Sequence, residues 1–518
     1  MKTLYIFFLL LIADFIFIPQ SIAQVNQGDT MSFWSVTYID WPPLVGTPQK
    51  RIHATCERAG AHCYLFVEDG VTLPQPSLLD TMVHRFDDHF VPELTAVYGP
   101  VPDALDADSH VYIVIYDDPN WCGYFDPAQQ MTDSFVYSHW GSHSSEHEII
   151  YVASGCFYSI IDITAHEFGH LLHWQQDHSP EPPSNPVKYW EDAWIDEGFS
   201  TFAAMYLTED IYQPDVLDNF TFFTQNPDIP LIYFSDYNQV KLWSLFMFEH
   251  YGGWNYISAL ISNQLNGIAG MDSALRQINS PADFNEAFVH WSVTNYLDDS
   301  DFEGGKYAYH HYNVYHCHIT SIHSSFPTGL CHQAIHPYGT DYISFTSLAP
   351  KPIHIDFSGD STSKFRLAAL KINLSQNTTV GVDFINPDAN GHAVINADSL
   401  GLAYNRLILV VCNIDSALHE NDSATYSYST SSVAGIEDHN DPGLVQIYPN
   451  PLSGNVYCTI SPVLKGSEYK IFNIDGRMIS TGKLKDENNI LDMKNAPAGV
   501  YLFSIENKFR QTFRLIKE

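Results

Sequence analysis

Residues 160–176, IIDITAHEFGHLLHWQQ, carry the strongest helical pattern in the chain. Within them, HEFGH puts His166 and His170 four positions apart, so both imidazoles emerge from one face of a helix. Two imidazoles on one face can bind one zinc ion, and Glu167 lies beside them, within reach of a water molecule. Apolar residues on either side of the motif indicate that the helix is internal. A five-residue motif alone leaves open the other interpretation, a surface helix that happens to carry two histidines and one glutamate.

A zinc ion that takes part in catalysis has three protein ligands and one open position, so a third ligand must come from elsewhere. The extended motif HExxHxxGxxH is absent, because His173 and Gln176 occupy its last two fixed positions. A second predicted helix contains WIDEGFST, residues 194–201, and the prolines before it force the chain to turn back. We therefore predict Glu197 as the third ligand. The other acidic candidates for this position are Glu191, Asp192, Asp196 and Asp177.

This set of ligands predicts a zinc-dependent peptidase with one catalytic zinc ion. In such a site the metal lowers the pKa of a water molecule, and Glu167 takes its proton and passes it to the leaving amine. A nearby hydroxyl or imidazole often stabilises the oxyanion, and Tyr237, just before a predicted helix beginning near Gln239, is our candidate for this role. Asp162 and Asp196 are candidates for holding the second nitrogen of each histidine.

The composition excludes several classes of protein. Hydrophobic residues make up 45% and charged residues 16% of the 518 residues, which excludes disorder for most of the chain. A chain of this length predicts about three to five domains. With 24 basic and 60 acidic residues the net charge is −36, which excludes nucleic acid as a partner. Residues 442–518 differ, because ten basic and seven acidic residues give them a charge of +3, and this shift predicts a separate C-terminal domain.

The first 24 residues, MKTLYIFFLLLIADFIFIPQSIAQ, predict a signal peptide over residues 1–23. Lys2 precedes an apolar run that Asp14 interrupts, and small residues precede the cleavage point, so an uncleaved membrane anchor is the weaker alternative. An exported chain can keep disulfide bonds. Neighbouring positions suggest the pairs Cys56–Cys63, Cys122–Cys156 and Cys317–Cys331, with Cys412 and Cys458 as buried thiols.

The distribution of helical and strand patterns predicts six segments. They are a signal peptide (1–23), an irregular N-terminal segment (24–50), a catalytic domain (51–338), an all-β sandwich (339–428), a linker (429–442) and a second β domain (443–518). Within the catalytic domain we predict an amphipathic helix over 76–98 that Pro92 ends or kinks. The histidine-rich residues 310–336 predict a surface loop closed by a disulfide bond, with a second metal site as the alternative. The acidic residues 298–301 predict a solvated turn, with Ca²⁺ as the alternative.

The metal motif and its surroundings resemble a known family. HEFGHLLHW followed by WIDEGFSTF resembles gluzincin metallopeptidases, and DDPNWCGYFDPAQQ, SEHEIIYV and FSDYNQVKLWSLFMFEHYGG are similar to the hyicolysin-type family in particular. The resemblance implies an α+β zincin-like fold with His166, His170 and Glu197 as zinc ligands and Glu167 as general acid/base. It also implies an endopeptidase, although thermolysin-like enzymes carry aspartate where this chain has Thr201.

The C-terminal residues resemble a second family. IYPNP (447–451), KIFNIDGRMI (470–479) and LDMKNAPAGVYLFSI (491–505) are similar to type A sorting domains of the type IX secretion system, which implies an Ig-like β-sandwich. The resemblance also implies Sec export followed by passage across the outer membrane, with the secretion machinery as a partner. The mature chain is then released or attached to the cell surface.

Together these observations predict a multidomain, secreted zinc metalloendopeptidase that acts on a protein or peptide substrate and has no transmembrane segment in its mature chain. Its three folded parts are an α+β metallopeptidase domain, an all-β sandwich and an Ig-like sorting domain. The alternative from another class is a catalytically inactive, peptidase-like surface adhesin or binding protein. Glu167 argues against that alternative, because a binding protein has no need of a general base.

Overall fold

A computed structural model describes residues 24–37, 48–103, 105–118, 121–177, 191–208, 220–312, 314, 316–432, 445–506 and 511–518. The signal peptide predicted over residues 1–23 and most of the predicted linker lie outside the described residues. The chain divides into two compact units, residues 1–431 and residues 432–518. No described helix combines the length and the apolar composition needed to cross a membrane.

The first unit contains helices and strands in mixed order. Its helices are α1 (Ser77–Arg85), α2 (Val91–Tyr98), α3 (Asp133–Trp140), α4 (Ile160–Asp177), α5 (Ala193–Thr208), α6 (Thr221–Gln225), α7 (Tyr237–His250), α8 (Trp254–Ile261), α9 (Gly267–Gln277) and α10 (Phe284–Leu297). Its strands are β1 (Thr30–Val36), β2 (Gln49–Ala59), β3 (Cys63–Glu68), β4 (Val111–Tyr116), β5 (Gly123–Phe125), β6 (Ile149–Ala153), β7 (Ser321–His323), β8 (Cys331–Ile335), β9 (Thr340–Thr346), β10 (Ile353–Gly359), β11 (Phe365–Asn373), β12 (Thr378–Ile385), β13 (His392–Ala397), β14 (Arg406–Asn413) and β15 (Ala424–Ser432).

A six-stranded sheet forms the N-terminal part of this unit, in the order β1-β2-β3-β4-β6-β5. Strands β3, β4 and β6 are parallel, while β1, β2 and β5 run antiparallel to their neighbours. The apolar sequence VYIVIY explains why β4 lies inside the sheet, because every residue of that strand is buried. β5 is an edge strand, and α4 packs against both β5 and β6.

The N-terminal segment differs from the prediction that residues 24–50 are irregular. Part of it forms β1, the other edge strand of the sheet, which pairs with β2. Phe33 is fully buried there, and its ring centroid lies 5.0 Å from that of Phe66. The prediction was wrong because the adjacent apolar residues Phe33 and Trp34 break the alternation in β1, so the local pattern is ambiguous and pairing with β2 determines its conformation.

The helix predicted over residues 76–98 is distorted near Pro92 but continues past it. A π-helical turn, Phe86–Phe90, joins α1 to α2, and the Val91 N–H donates to the Phe86 carbonyl five residues earlier. Proline lacks an N–H and its ring crowds the preceding turn, so a widened turn ahead of Pro92 lets the helix reach Tyr98.

Helices α4 and α5 pack side by side, and this contact brings the metal motif toward Glu197. Gly169 permits the close approach, since a Cβ atom there would lie 3.1 Å from Ser200 Oγ and 3.3 Å from Ser200 Cα. Both helices are buried along most of their length, so the internal position predicted for the motif helix is confirmed. α7 also packs against α5.

Two further sheets form a β-sandwich in the C-terminal part of the first unit. Their orders are β13-β10-β15-β8 and β12-β11-β14-β9-β7, and buried residues of both sheets share one hydrophobic core. β14 is buried on both faces: Leu407, Leu409 and Val411 join the sandwich core, while Ile408 and Val410 join the core of the helices. This double burial explains the continuous apolar sequence RLILVVCN.

The sandwich begins earlier and ends later than the predicted limits, residues 339 and 428. β7 and β8 lie within the histidine-rich residues 310–336, which were predicted to be a surface loop, and β15 extends to Ser432. Buried residues alternate along β15, as Tyr426 and Tyr428 show. The serines and threonines between them are typical of linkers too, so composition concealed the strand.

One of the three predicted disulfide bonds, Cys122–Cys156, is present and is confirmed. It links the residue before β5 to the short helical turn before α4. Cys412 and Cys458 are buried free thiols, as predicted.

The other two predicted disulfide bonds are wrong, because all four cysteines are free. Cys56 and Cys63 belong to different hydrophobic clusters, on opposite faces of the six-stranded sheet. Cys317 is buried with the helices, whereas Cys331 lies on β8 against the sandwich core. Proximity in sequence misled the prediction, since a disulfide bond needs Cβ atoms that face each other.

The second unit is an all-β domain, as the sequence predicted. Its strands are β16 (Val445–Tyr448), β17 (Val456–Ile460), β18 (Glu468–Asn473), β19 (Met478–Lys483), β20 (Asn488–Leu491), β21 (Gly499–Glu506) and β22 (Gln511–Lys517). They form the sheets β16-β17-β20 and β19-β18-β21-β22 around a hydrophobic core of their own.

Candidate metal centre

Helices α4 and α5 bring together the three predicted metal ligands. His166 Nε2 and His170 Nε2 are 3.0 Å apart, and Glu197 Oε2 lies 3.2 Å from the first and 3.6 Å from the second. The histidines share one face of α4 because they are four residues apart, and Glu197 faces them from α5. His170 and Glu197 are buried, while His166 is partly exposed.

These three atoms form a triangle that fits one zinc ion. Ligands about 2.0–2.1 Å from a tetrahedral zinc ion lie about 3.3 Å from one another, and the three distances here are close to that value. Glu197 Oε2 is buried and has no hydrogen-bond partner within the part of the chain that the structure describes. Two imidazole nitrogens and a carboxylate oxygen turned toward one point form a donor set that zinc accepts.

Side chains of α5 contact Nδ1, the ring nitrogen of each histidine that faces away from the triangle. Thr201 Oγ1 lies 3.3 Å from His166 Nδ1. Asp196 Oδ2 lies 2.8 Å and Ser200 Oγ 3.1 Å from His170 Nδ1. These contacts leave both Nε2 atoms free to point toward the same place.

The two aspartates considered for this orienting role differ in their contacts. Asp196 contacts His170, whereas Asp162 accepts a hydrogen bond from Thr208 Oγ1 at 3.2 Å. Ser200 and Thr201 were not among the candidates. The available signal was their spacing from Glu197, since positions three and four further along a helix lie on the same face.

Burial and neighbouring charges act in opposite directions on the ionisable groups of this cluster. Burial alone raises the pKa of Glu197, but the imidazoles of His170 and His166 outweigh it and lower this pKa to about 2. Burial lowers the pKa of His170, but Asp196 and Glu197 outweigh it and raise this pKa well above its usual value. Burial raises the pKa of Glu167. Glu197 is therefore ionised at neutral pH and available as an anionic ligand.

A cleft of about 560 Å³ opens beside the cluster. Its walls are formed by Trp121, Cys122, Gly123, Ser159, Asp162, Ile163, His166, Glu167, Thr201, Ala204, Met205, Thr208, Tyr237 and Lys241. Glu167 is only 6% exposed, and it lies against the backbone of β5. A Cβ atom at Gly123 would be 3.2 Å from Glu167 Oε1, so the absence of a side chain there lets strand and carboxylate meet.

Tyr237 lines the same cleft as the first residue of α7, two residues earlier than the predicted start of that helix. The side chain of Asp236 caps the helix by accepting the Gln239 N–H. The Tyr237 ring centroid lies 6.3 Å from that of His166. Partial desolvation and the negative charges of Glu197 and Glu167 raise the pKa of the Tyr237 hydroxyl above its ordinary value.

The remaining acidic candidates for the third ligand lie elsewhere. Glu191 and Asp177 belong to a separate buried group that also contains His173. Asp192 is exposed. Helix packing therefore separates acids that are close together in sequence.

The two other regions considered for metal binding use their side chains differently. Both carboxylate oxygens of Asp298 accept backbone N–H groups, at 2.9 and 3.2 Å. In the histidine-rich segment, His311 pairs with Glu249 at 2.6 Å and His336 with Asp228 at 3.0 Å. Among the described residues, neither region has three such side chains close enough to share one ion.

The comparisons with curated proteins and with solved structures show no family for the whole chain. No curated protein matches the chain. Similar solved structures include the pre-peptidase C-terminal domain of collagenase from Bacillus anthracis, at 16% identity over 22% of this chain and 96% of that chain, with a TM-score of 0.16. PorZ, a surface component of the type IX secretion system of Porphyromonas gingivalis, is 14% identical over 29% of this chain and 22% of that chain, with a TM-score of 0.14.

The second unit has a specific match. Residues 446–518 match the family model of the secretion system C-terminal sorting domain. They include the three segments that resemble type A sorting domains, and they form the all-β unit described above. The sorting domain indicates export through type IX secretion, to the medium or the outer cell surface, and it makes the secretion machinery a partner of this chain.

Proposed function

We propose that this protein is a secreted zinc-dependent endopeptidase of the gluzincin type. The observation that supports this most strongly is the triangle of His166 Nε2, His170 Nε2 and Glu197 Oε2, with sides of 3.0–3.6 Å. Glu167, the residue after the first ligand, lines the adjacent cleft. A zinc-binding protein without catalytic activity would require only the triangle.

His166, His170 and Glu197 would hold the ion, which when bound supplies a Lewis acid and lowers the pKa of water. Glu167 moves the protons: its carboxylate takes one from the attacking water and gives it to the amine nitrogen of the departing peptide. Asp196, by accepting from His170 Nδ1, fixes the orientation of the ring so that Nε2 is the nitrogen that would face the ion.

Tyr237 is the proposed donor to the oxyanion that develops on the substrate carbonyl. Its hydroxyl is protonated at neutral pH, as an ordinary phenol is, and partial desolvation and two nearby carboxylates raise its pKa further. A protonated phenol at the edge of the cleft can donate a hydrogen bond to an oxygen atom as negative charge accumulates there.

The edge strand β5 supports a peptide as the substrate. Within the described residues, no strand pairs with its outer edge, and Gly123 brings that edge close to Glu167. An extended peptide can add to such an edge through main-chain hydrogen bonds. Main-chain recognition requires no chain terminus, so it favours internal cleavage over removal of terminal residues.

The test is Glu167→Gln in the full secreted chain. We expect casein hydrolysis to fall by at least ~10²-fold, because the amide cannot take up a proton, while zinc content stays at the wild-type value. Glu148→Gln is the matched control, since this buried glutamate lies outside the cleft and its replacement should leave hydrolysis unchanged.

Hydrolysis by Glu167→Gln at the wild-type rate would contradict the general-base role. A wild-type protein that binds zinc but cleaves no protein or peptide would instead support the alternative, a binding protein on a peptidase-like scaffold.

A further inference from the structure

The second buried group of metal-binding side chains lies at the end of α4. His173 and Asp177 are four residues apart on that helix, so they share a face, and Glu191 approaches them from just before α5. One donor atom from each residue lies within 4.8 Å of the other two. The three side chains are 2%, 7% and 6% exposed.

We propose that His173, Asp177 and Glu191 bind a second zinc ion, separate from the proposed catalytic one. This ion has a structural role, because it joins the end of α4 to the start of α5. The proposal is independent of the peptidase activity, since it concerns different ligands.

Unsatisfied buried atoms carry the argument. His173 Nε2 and Asp177 Oδ1 are buried and, within the described part of the chain, neither has a hydrogen-bond partner. Buried polar atoms are almost always paired, so two such atoms in one place call for a missing partner. A small cavity of about 10 Å³ lies between these side chains, which is room for one ion or one water molecule.

The contacts around the group favour a cation over water. Asp196 Oδ1 lies 2.8 Å from His173 Nδ1, so this carboxylate accepts the Nδ1 proton and Nε2 is the ring nitrogen left without a partner among the described residues. That nitrogen shares its surroundings with the carboxyl groups of Asp177 and Glu191. Buried carboxylates are paired or coordinate metals, so a cation bound here would offset the cost of burying both acids.

The carboxylate of Glu191 is fixed in position by backbone hydrogen bonds. Its Oε1 accepts the backbone N–H groups of Gly267 and Asp192, both at 2.7 Å, which fixes the carboxylate and leaves Oε2 available. One imidazole nitrogen and two carboxylate oxygens suit zinc, whereas calcium needs six to eight oxygen ligands.

Asp196 connects the two centres. Its Oδ2 contacts His170, a ligand of the proposed catalytic ion, while its Oδ1 contacts His173, a ligand of the second. An ion held by His173 would therefore also fix the carboxylate that orients His170.

Metal analysis of the full chain tests the proposal, with zinc as the probe. We expect about two zinc ions per wild-type chain after dialysis, and about one in Asp177→Asn, in Glu191→Gln and in Glu197→Gln. Asp192→Asn is the matched control, because this exposed acid lies next to Glu191 but outside the group, and it should keep two ions.

A second measurement covers the case in which a ligand variant fails to fold. The metal-free Glu197→Gln protein lacks one ligand of the catalytic site but keeps the second group intact. Zinc should still bind it at one equivalent and raise its Tm. If this variant binds no zinc, or if wild type holds one ion that Asp177→Asn retains, the second site does not exist and water fills the cavity. If wild type holds one zinc ion that Asp177→Asn loses and Glu197→Gln retains, the proposed catalytic site is contradicted and the second site is supported.

Discussion

Two buried glutamates of this chain have pKa values shifted in opposite directions, because different charges lie beside them. Glu197 faces two imidazoles, which lower its pKa to about 2 despite its burial. Glu148, just before β6, is 1% exposed, and its Oε2 has no hydrogen-bond partner among the described residues. Burial, and then the nearby acids Asp106, Asp103 and Asp108, raise the pKa of Glu148 to about 8. One glutamate is thus stabilised as an anion and the other as a neutral acid.

Glu148 predicts a pH dependence of stability. Its pKa in the folded protein is above the ordinary value of 4.5, so the folded state binds the proton more tightly. The free energy of unfolding should therefore fall as pH rises from about 4.5 to about 8. Glu148→Gln should remove this dependence and stabilise the protein by about 1–3 kcal/mol at pH 8, with little gain at pH 4.5.

Urea unfolding at both pH values measures this effect. Glu93→Gln, at an exposed position of α2, is the control and should leave the difference between the two pH values as in wild type. If Glu148→Gln lowers stability equally at both pH values, the carboxyl group is stabilised as an anion and our assignment is incorrect.

At the scale of elements, the distance between α4 and α5 determines whether the ligands meet. The histidines come from α4 and Glu197 from α5, and Gly169 lies where the two helices touch. Any side chain at this position has to displace Ser200, which itself contacts His170. The geometry of the candidate metal centre therefore depends on Gly169, a residue that has no side chain to bind a metal ion.

Gly169→Val should destabilise the protein by about 1–3 kcal/mol, because overpacking moves the helices apart. It should also weaken zinc binding, since both histidines move relative to Glu197. Gly155→Val is the matched control: a Cβ atom there meets nothing within 4 Å, and the residue is exposed. Thermal unfolding and zinc titration of both variants check this, and wild-type zinc affinity in a folded Gly169→Val protein would contradict it.

At the scale of the whole molecule, the chain separates a unit that carries the candidate metal centre from a unit that carries the sorting domain. Each has a hydrophobic core of its own, and the division at residues 431 and 432 precedes the matched sorting domain. The charge follows the same division, since residues 442–518 are slightly basic in an otherwise acidic chain. The sorting domain can therefore be deleted without removing any residue of the candidate metal centre.

Deletion of residues 446–518 should abolish export while leaving the first unit folded. In a host with type IX secretion, the truncated chain should accumulate inside the cell envelope, whereas the full chain reaches the medium or the cell surface. Immunoblots of cell fractions measure this, and the purified truncated protein should keep the wild-type zinc content. Equal export of both forms would show that the tail is not the signal.

The sequence alone was sufficient for features that depend on short-range periodicity. Four-residue spacing places His166 and His170 on one helix face whatever surrounds them, and the apolar flanks require that helix to be buried. The sorting domain was likewise recognisable from three contiguous segments. β1 and the end of β15 were missed, because the adjacent apolar residues Phe33 and Trp34 break the alternation in β1 and the serines and threonines of β15 are also typical of linkers.

Only the tertiary structure decided which distant residues meet. Five acids in and around the α4–α5 connection were candidates for the third ligand, and helix packing brings Glu197 to the histidines while it gathers Asp177 and Glu191 around His173. Cys56 and Cys63 are close in sequence, yet they lie on opposite faces of one sheet. The physical reason is the same in each case: local sequence determines the face on which a side chain lies, whereas the packing of whole elements determines what that face meets.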